Sequence, residues 1–299
     1  MLFSQDITQK ALEAGFIAIG FCRSGPPPFL SEYHRWIEGG KYGEMVWLRH
    51  HRALKADPEN VLKGCRTIIS LAYPYPSRKP RTADGLTAAR YSSPDSPDYH
   101  AAIKAKAGPL LALLFERYPQ ERSRVCVDSA PLLERGFAYA SGIGFIGKNN
   151  MLIRPGHGSY FFLAEILTTA AFPLPDQKPL ATLCGTCNRC VDACPTGALE
   201  KPFSLDAGRC LSYLTIEKRG PIDSETGKSM GTCFFGCDVC QEVCPFNPEP
   251  GGCRESLPAS DAFLRMNEAT FENLFGKSAF ARAGLEKIKS NITAMGKGV

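Results

Sequence analysis

The sequence has no apolar run of the roughly 18 residues that a membrane-spanning helix requires, so it does not predict an integral helical membrane protein. Its first residues also lack a basic segment followed by an apolar core, and no secretory signal is predicted. Net charge is only +5, from 35 basic and 30 acidic residues. We therefore expect a cytoplasmic protein without a membrane partner, whose thiols stay reduced and available as ligands.

Basic residues gather locally despite the mild net charge. One run extends from Arg49 to Lys55 and includes two histidines, and a shorter one extends from Arg78 to Arg81. Such runs can contact phosphates, as in nucleic-acid binding proteins. On charge alone, a solvated surface is the favoured interpretation.

Hydrophobic patterning predicts alternating helices and strands over residues 1–175, which indicates a mixed-sheet α/β (α+β) domain. Prolines and glycines predict a loop over 76–97. Residues 176–255 hold the cysteine motifs, and 256–299 is predicted to be a helical tail, which makes three consecutive domains. The predicted elements are helices at 6–15, 30–38, 43–55, 99–118 (with Pro109 as a kink or break) and 131–141, strands at 16–22, 66–73 and 124–128, and a strand or helix at 161–168.

Thirteen cysteines in a chain with no predicted export signal favour metal binding over disulfides. One run spells C-x2-C-x2-C-x3-C-P, the spacing with which bacterial ferredoxins bind [4Fe–4S] clusters, and a half copy, C-x2-C-x3-C-P, follows. The pattern predicts a ferredoxin-like domain with two clusters that moves single electrons. The motif cysteines are Cys184, Cys187, Cys190 and Cys194 in the first run and Cys237, Cys240 and Cys244 in the second.

Two [4Fe–4S] clusters need eight thiolates, and the motifs supply seven. In the crossed ferredoxin pattern, Cys244 completes the cluster of the first three cysteines. Cys194 then joins the first two cysteines of the second run, and either Cys210 or Cys233 can supply the missing ligand. A zinc site is the less favoured alternative, because zinc requires neither the third cysteine of each run nor the following proline. The remaining cysteines are predicted to be buried small residues: Cys22, Cys65, Cys126 and Cys253.

Three other patterns resemble cofactor sites but lack the context that those sites need. Residues 142–147 match G-x-G-x-x-G, but a helix is predicted before them and not after, so a tight turn is favoured over dinucleotide binding. Cys233 opens the C-x3-C-x2-C pattern of radical S-adenosylmethionine enzymes, but too few residues follow Cys240 for the ~200 of a barrel. Asp98–His100 begins like a cobalt-binding D-x-H-x-x-G motif, but Ile103 replaces the glycine.

Asp128 follows a predicted strand and precedes a predicted helix that opens at Pro131. A carboxyl at the end of a strand can face a ligand, and a desolvated one can donate a proton. On position alone, a helix N-cap is the favoured interpretation. Glu134 and Arg135 follow on the helix and are expected to pair with surface groups, while His157 is expected at a loop tip.

Seven segments, in order along nearly the whole chain, resemble the epoxyqueuosine reductase family, whose members catalyse the last step of queuosine biosynthesis in bacteria. Among them, only the cysteine motifs are shared widely with other ferredoxin-like proteins. The matching segments are G-E-M-V-W-L (43–48), V-D-S-A-P-L-L-E-R (127–135), G-I-G-F-I-G-K-N (142–149), G-S-Y-F-F-L-A-E (158–165), C-G-T-C-N-R-C-V-D-A-C-P-T-G-A-L (184–199), R-C-L-S-Y-L-T-I-E (209–217) and F-G-C-D-V-C-Q-E-V-C-P-F-N (235–247).

The resemblance implies reduction of epoxyqueuosine to queuosine at the wobble position of tRNA, with cobalamin beside the two [4Fe–4S] clusters. It implies that Cys210, the cysteine of R-C-x-S-Y-L-T-I-E, is the eighth cluster ligand, and that Asp128 is the proton donor. An external reductant protein or flavin system would supply electrons to a monomer. Many members continue into C-terminal helical repeats, which we do not expect here. Cobalamin contacts are implied at His50 (where the family has an arginine), Asp128, Leu152, Leu163, Ser212 and Arg219.

The tRNA substrate also gives the basic residues a role, and Lys218 and Arg219 become candidates for tRNA contact. Two other functions remain as alternatives. A reductive dehalogenase-like enzyme would use a similar cofactor set but is usually exported. A simple electron-transfer ferredoxin would not need a large α/β domain ahead of its clusters.

Overall fold

The computed structural model describes residues 3–76, 78–94, 98–248 and 251–296. None of the helices in these ranges combines the length and apolarity of a membrane span. The α-helices are α1 (Phe3–Glu13), α2 (Leu30–Glu38), α3 (Val46–His50), α4 (Arg52–Lys55), α5 (Tyr99–Arg117), α6 (Glu134–Ala140), α7 (Arg189–Asp192), α8 (Leu211–Ile216), α9 (Ser224–Ser229), α10 (Val239–Glu242), α11 (Ser260–Arg265), α12 (Glu268–Phe275) and α13 (Leu285–Ala294). The strands are β1 (Ala18–Arg23), β2 (Thr67–Pro74), β3 (Lys79–Thr82), β4 (Thr87–Ala88), β5 (Ser123–Cys126), β6 (Phe145–Ile146), β7 (Leu152–Ile153), β8 (Phe161–Thr168), β9 (Leu199–Lys201), β10 (Ser204–Leu205), β11 (Cys233–Phe235) and β12 (Cys253–Leu257).

These elements form two compact units that alternate along the chain. The first unit consists of residues 1–39, 47–74 and 100–185. The second unit consists of residues 40–46, 75–99 and 186–299. Segments 40–46 and 75–99 therefore belong to the unit that contains the tail and the motif cysteines other than Cys184.

The first unit is built on an antiparallel sheet with the strand order β1–β2–β8–β5. The central strand β2 is buried over most of its length, and its Ile69 lies opposite Phe21 on β1 and Ile166 on β8. Helix α6 packs on β1, β2 and β8, where its Phe137 joins Leu167 in an apolar core. The predicted α+β class is confirmed, and the segment at 161–168 is a strand.

Most elements of the first unit lie where the hydrophobic pattern predicts them. The helix predicted over 43–55 is divided into α3 and α4, and α6 begins three residues later than predicted. Helix α5 continues through Pro109, so the predicted break is absent. A proline lacks one hydrogen-bond donor, and the rest of this long helix compensates for that loss.

The glycine-rich segment 142–147 leads from α6 into a short hairpin of β6 and β7. Gly142 has φ +72° directly after the helix. A Cβ atom on Gly144 would lie 2.3 Å from the carbonyl oxygen of Ile153, so only glycine allows the two strands to approach. The segment begins with the tight turn that the sequence predicts and continues into β6, where a dinucleotide site would need a helix.

The second unit contains a mixed sheet with the order β11–β4–β3–β12. β11 is parallel to β4, β12 is parallel to β3, and β3 is antiparallel to β4. The predicted loop over 76–97 was wrong at β3 and β4, although residues 77 and 95–97 lie outside the described residues. Both strands are short and pair with segments far along the chain, so the local sequence carries no alternating pattern for them.

Phenylalanine rings and one buried amide fix the tail to the second unit. The rings of Phe235 and Phe280 lie 4.5 Å apart between centroids. Asn291 on α13 is fully buried, and its Nδ2 donates to the carbonyl groups of Thr215 (2.8 Å) and Phe234 (3.0 Å). The predicted helical tail therefore forms part of this unit's core.

Replacing Asn291 with alanine should destabilise the protein, because two buried carbonyl groups lose their donor. An unsatisfied buried group costs about 1–3 kcal/mol, so we expect the free energy of unfolding to fall by ~2 kcal/mol or more in a denaturant titration. Thr293→Ala, at an exposed position of the same helix, should change it by less than ~0.5 kcal/mol. Equal stability of the two variants would contradict this role of Asn291.

Candidate functional site

Asp128 occupies a strained turn directly after β5. Its φ is +50°, in the left-handed region that side-chain-bearing residues rarely adopt. The N–H of Ser129 donates to the carbonyl of Val127 at 2.5 Å, which closes a three-residue γ-turn around Asp128. The positive-φ form of this turn is the rare and strained one, and such strain is typical of functional positions. The Asp128 side chain is 63% exposed, so the turn presents its carboxyl group at the surface of the unit.

The helix N-cap that position alone favoured for Asp128 is not formed. Helix α6 begins at Glu134, and its N-cap residue is Leu133, which provides no side-chain hydrogen bond. Pro131 lies before the helix and not in its first turn. The cap prediction was wrong because the turn at Asp128 and the residues after it delay the start of the helix.

Glu134 and His100 both contact Asp128 within the first unit. The Asp128 backbone N–H donates to Oε1 of Glu134 at 2.6 Å, and Nε2 of His100 lies 3.3 Å from Asp128 Oδ2. Sequence reasoning missed both contacts, since His100 had been set aside as a cobalt ligand and Glu134 was expected to pair with surface groups. Their separation from Asp128 along the chain follows no helix or strand period, so the contacts depend on the turn itself.

Glu134 is half-buried among charged groups. Burial and the neighbouring Asp128 carboxylate raise the pKa of Glu134 to about 8, against the opposing effect of Lys55 and Arg135. Lys55 is itself buried, which lowers its pKa, and its Nζ donates to the carbonyl of Leu132 at 2.9 Å. The first basic run therefore includes a structural lysine and is not simply a solvated surface.

Glu165 on β8 is a second acid of this unit and is completely buried. It lies opposite Ser70 on β2 and Cys126 on β5, and neither of its carboxyl oxygens has a hydrogen-bond partner among the described residues. Burial, followed by repulsion from Glu134, raises the pKa of Glu165 well above its ordinary value. Burial therefore favours the protonated, uncharged form of this carboxyl group.

The cysteines outside the motifs differ in burial. Cys65 and Cys126 are buried and Cys22 is half-buried, in broad agreement with the sequence. Burial raises the pKa of the Cys126 thiol to about 12 and that of Cys22 to about 11, so both stay protonated at neutral pH. Cys253 is exposed, and its predicted burial was wrong because β12 is an edge strand of its sheet.

Glu165→Gln should weaken the pH dependence of stability. The pKa of Glu165 is higher in the folded protein than in the unfolded chain, where it is about 4.5. Its contribution to the free energy of unfolding is therefore fully present below the unfolded pKa and is lost as the pH rises toward the folded pKa. This loss is at most ~1.4 kcal/mol per pH unit. Glutamine has no proton to lose, so we expect the free energy of unfolding of the variant to fall less between about pH 5 and 8.

Urea titrations across this pH range measure the effect of Glu165→Gln. Glu116→Gln, at an exposed position of α5, serves as the matched control and should keep the wild-type slope. The same slope in Glu165→Gln and in the wild type would show that the buried carboxyl does not stay protonated.

In the second unit, the doubled cysteine motif is also a doubled structure. Helices α7 and α10 each lie inside one motif and pack against each other. After α7 the N–H of Gly197 donates to the Cys194 carbonyl, and after α10 the N–H of Asn247 donates to the Cys244 carbonyl, both at 3.0 Å. This repetition is the arrangement expected of a two-cluster ferredoxin module.

Four cysteines of the second unit lie near one another: Cys194, Cys210, Cys237 and Cys240. Burial, followed by repulsion from the other three and from Cys190, raises the pKa of Cys240 well above its usual value. Within the described residues, no three Cys, His, Asp or Glu side chains converge as a single metal ion would require. A [4Fe–4S] cluster instead takes one thiolate for each of four irons, and four half-buried sulfurs around a larger group fit it.

Cys233 also interacts with Cys237, but its own thiol group has hydrogen-bond acceptors. Its Sγ donates to the carbonyl groups of Phe235 and Gly236, each at 3.4 Å. Burial lowers the pKa of Lys79, but Cys233 and the nearby carboxylates outweigh this effect and raise that pKa. The Nζ atom of Lys79 lies 2.9 Å from Oε1 of Glu242. The Lys79 side chain is only 11% exposed, so the second basic run also contains a structural lysine.

The cobalamin contacts expected in the first unit are partly brought together. Leu152 on β7 is buried, and Leu163 on β8 is half-buried against the same apolar cluster as Leu152 and Phe161. Leu163 leaves part of its side chain exposed beside this cluster, and such an apolar side chain can lie against the face of a corrin ring. His50 is exposed at the end of α3, and His157 is exposed in a turn, as predicted for it.

The remaining predicted contacts belong to the second unit. Ser212 is half-buried on α8, and Arg219 is exposed in the segment that follows this helix. Lys287 on α13 donates to the carbonyl of Gly220 at 3.0 Å, and burial together with repulsion from Lys218 lowers the pKa of Lys287 to about 8. Basic side chains thus gather around the segment after α8.

Two family models match this sequence. The model described as "Epoxyqueuosine reductase QueG, DUF1730" matches residues 55–129. The model described as "4Fe-4S double cluster binding domain" matches residues 183–247. The first match ends just after the strained turn, and the second includes both cysteine motifs.

The chain is similar to named proteins over nearly its full length. The epoxyqueuosine reductase of Leadbetterella byssophila is 37% identical over 305 residues, with 97% of each chain covered. The solved structure of epoxyqueuosine reductase from Streptococcus thermophilus matches with a TM-score of 0.85 and 29% identity, covering 97% of this chain and 80% of that one.

Two further solved structures inform the site. A crystal structure of epoxyqueuosine reductase with an epoxyqueuosine-modified tRNA-Tyr stem loop matches with a TM-score of 0.84 at 29% identity, covering 97% of this chain and 80% of that one. A Bacillus subtilis epoxyqueuosine reductase, whose catalytic aspartate loop is swung out of its active site, matches with the same score, identity and coverage.

Proposed function

This chain belongs to the epoxyqueuosine reductase family, and we propose that it reduces epoxyqueuosine in tRNA to queuosine with Asp128 as the proton donor. The observation that carries this conclusion is the full-length match to epoxyqueuosine reductases, one of them solved with a substrate stem loop. The double-cluster domain and the family support two [4Fe–4S] clusters and cobalamin as cofactors. The tRNA substrate favours the cytoplasm as the site of the reaction.

Removal of an epoxide oxygen as water consumes two electrons and two protons. When bound, the clusters and cobalamin supply the electrons and the reducing metal chemistry for this step. The chain itself must hold the nucleoside and deliver a proton to the oxygen as the C–O bond breaks.

The external reductant is a protein or flavin system, and the enzyme works as a monomer.

The Asp128 carboxyl suits this task because the turn presents it outward at the end of β5. A bound nucleoside would remove water from it, and desolvation favours the protonated form of a carboxyl group. His100, 3.3 Å from Oδ2, can stabilise the carboxylate that remains after the transfer. In the Bacillus subtilis relative the catalytic aspartate belongs to a loop that can leave the active site, and Asp128 would belong to the corresponding loop.

Each cluster would be held by four cysteines in the crossed pattern. Cys210 interacts with Cys194 and Cys240, which supports it as the fourth ligand of one cluster. The other cluster would be held by Cys184, Cys187, Cys190 and Cys244. Cys233 would not be a ligand, since its thiol donates to carbonyl groups of its own segment.

Six residues of the chain are expected to contact cobalamin. The apolar cluster that contains Leu152 supports contacts to the ring through Leu152 and Leu163. His50, Asp128, Ser212 and Arg219 would supply the polar contacts. Lys218 and Arg219 would also contact phosphates of the tRNA, which position the substrate without reading its sequence.

The reaction is tested with purified protein reconstituted anaerobically with iron, sulfide and cobalamin and reduced chemically. We expect it to convert epoxyqueuosine to queuosine in a tRNA anticodon stem loop, as detected by mass spectrometry of the nucleosides. Fully loaded protein that leaves the epoxide intact, or that only removes halogens from aromatic substrates, would overturn the proposal.

Asp128→Asn should keep both clusters and cobalamin but lose most of its turnover, because the amide cannot donate the required proton. General acid catalysis contributes typically 10²–10⁴-fold, so a fall of about 100-fold or more in the single-turnover rate is expected. Iron content, cobalamin absorption and stem-loop affinity should match the wild type. An unchanged rate would refute the acid role of Asp128.

Cys210→Ser and Cys233→Ser distinguish the two candidates for the eighth ligand. The first should lower iron from about eight atoms per chain and remove or convert one cluster signal in electron paramagnetic resonance, since each cluster needs four thiolates. The second variant should retain the wild-type iron content and spectrum. The reverse outcome would assign the ligand to Cys233.

A further inference from the structure

We propose that Glu134 is a positioning residue for this reaction, holding Asp128 in its left-handed turn by accepting the Asp128 backbone N–H. The inference rests on the proposed role of Asp128 as proton donor. Glu134 does not need to reach the substrate, because its contact is with the backbone of the acid and not with the reacting atoms. It would set the direction in which the Asp128 carboxyl points.

The turn needs such a partner because it is unfavourable by itself. An L-residue with a side chain pays for a positive φ, and a γ-turn with φ +50° has only one short backbone hydrogen bond to close it. Backbone conformations of this kind persist only where surrounding contacts determine them. The 2.6 Å hydrogen bond to Glu134 Oε1 is such a contact, since it fixes the N–H of the strained residue itself.

Glu134 can hold the turn because its own position is fixed. It is the first residue of α6, which packs on three strands of the sheet through residues such as Phe137. The carboxyl is half-buried, so its movement is restricted on the side facing the protein. A rigid helix thus determines the geometry of a loop that ends a strand, and misplacement of a catalytic group by about 1 Å can cost 10²-fold in rate.

The ionisable groups around Glu134 come from several elements of the first unit. Lys55 on α4 and Arg135 on α6 are the nearby cations, while Asp128 after β5 and Glu165 on β8 are the nearby acids. The buried thiol of Cys126 on β5 also interacts with it. The cations favour the charged form of the Glu134 carboxyl group, and the acids disfavour it. Among these non-directional interactions, the hydrogen bond from Asp128 is the directional contact.

Two substitutions separate the acceptor from the size of the side chain. Glu134→Met keeps the length but removes the oxygen, and we expect the single-turnover rate on the epoxyqueuosine stem loop to fall about 10- to 100-fold. Glu134→Gln keeps an acceptor oxygen, so its single-turnover rate should stay within about threefold of the wild-type rate. If the negative charge of Glu134 mattered only for the structure, this rescue by glutamine would not be expected. Stem-loop affinity should change less than about twofold in both, because the binding surface is intact. Glu116→Met, at an exposed position of α5, is the matched control and should leave the rate unchanged.

A double-mutant cycle shows whether Glu134 acts through Asp128. The Asp128→Asn, Glu134→Met protein should be no slower than Asp128→Asn alone, because a misplaced acid cannot lose more than an absent one. The inference would be overturned if the rate losses of the two single variants multiplied in the double variant. Full activity of Glu134→Met would overturn it as well. Full activity of Asp128→Asn would instead refute the proton-donor role, so the two failures are distinguishable.

Folding of each variant is checked by its iron content and its unfolding midpoint. Glu134→Ala provides a second removal of the acceptor if Glu134→Met does not load iron. A folded Glu134→Ala protein with the wild-type rate would overturn the inference as well.

Discussion

The end of the pairing between β5 and β8 is the constraint on which the candidate active site depends. The register stops where Cys126 lies opposite Glu165, and the chain must turn away from the sheet within the next three residues. Asp128 is the residue at the centre of that turn, and it adopts an unfavourable positive φ because the chain turns so sharply. The edge strand β5 therefore places Asp128 in a tight turn directly after the sheet.

Acidic groups behind this turn share one electrostatic environment. Glu165 is fully buried without a hydrogen-bond partner among the described residues, and Glu134 is half-buried with its pKa raised to about 8. A buried, unpaired carboxyl is a cost to folding, and residues of this kind are usually retained for function. Lys55, buried beside Glu134, offsets part of the cost by supplying a positive charge.

The sequence predicted the features that depend on local spacing. The two cysteine motifs, the strand at 66–73, the helix at 30–38 and the turn at 142–147 all depend on residues close in the chain. What it could not predict depends on distant partners. β3 and β4 form only because β12 and β11 lie beside them, and Lys79 is buried only because Glu242 and Asp238 pair with it.

The candidate site likewise combines features that the local sequence predicts with features that depend on distant residues. The importance of Asp128 followed from the family resemblance, but its partners His100 and Glu134 depend on one left-handed residue. Aspartate adopts a positive φ more often than most residues, but this preference is too weak to predict φ +50° at Asp128. Leu152 and Leu163 lie in the first unit, and Ser212 and Arg219 lie in the second. A pattern read along the chain cannot show that segments 40–46 and 75–99 fold with the cysteine motifs.

The most direct test of the proton-donor claim is the pH profile of the single-turnover rate, measured anaerobically with the fully loaded enzyme and a saturating epoxyqueuosine stem loop. If Asp128 delivers the proton, the wild-type rate falls above the pKa of that carboxyl in the substrate complex, and this limb is absent from the slower Asp128→Asn enzyme. Profiles of the same shape in both proteins would show that the proton comes from elsewhere.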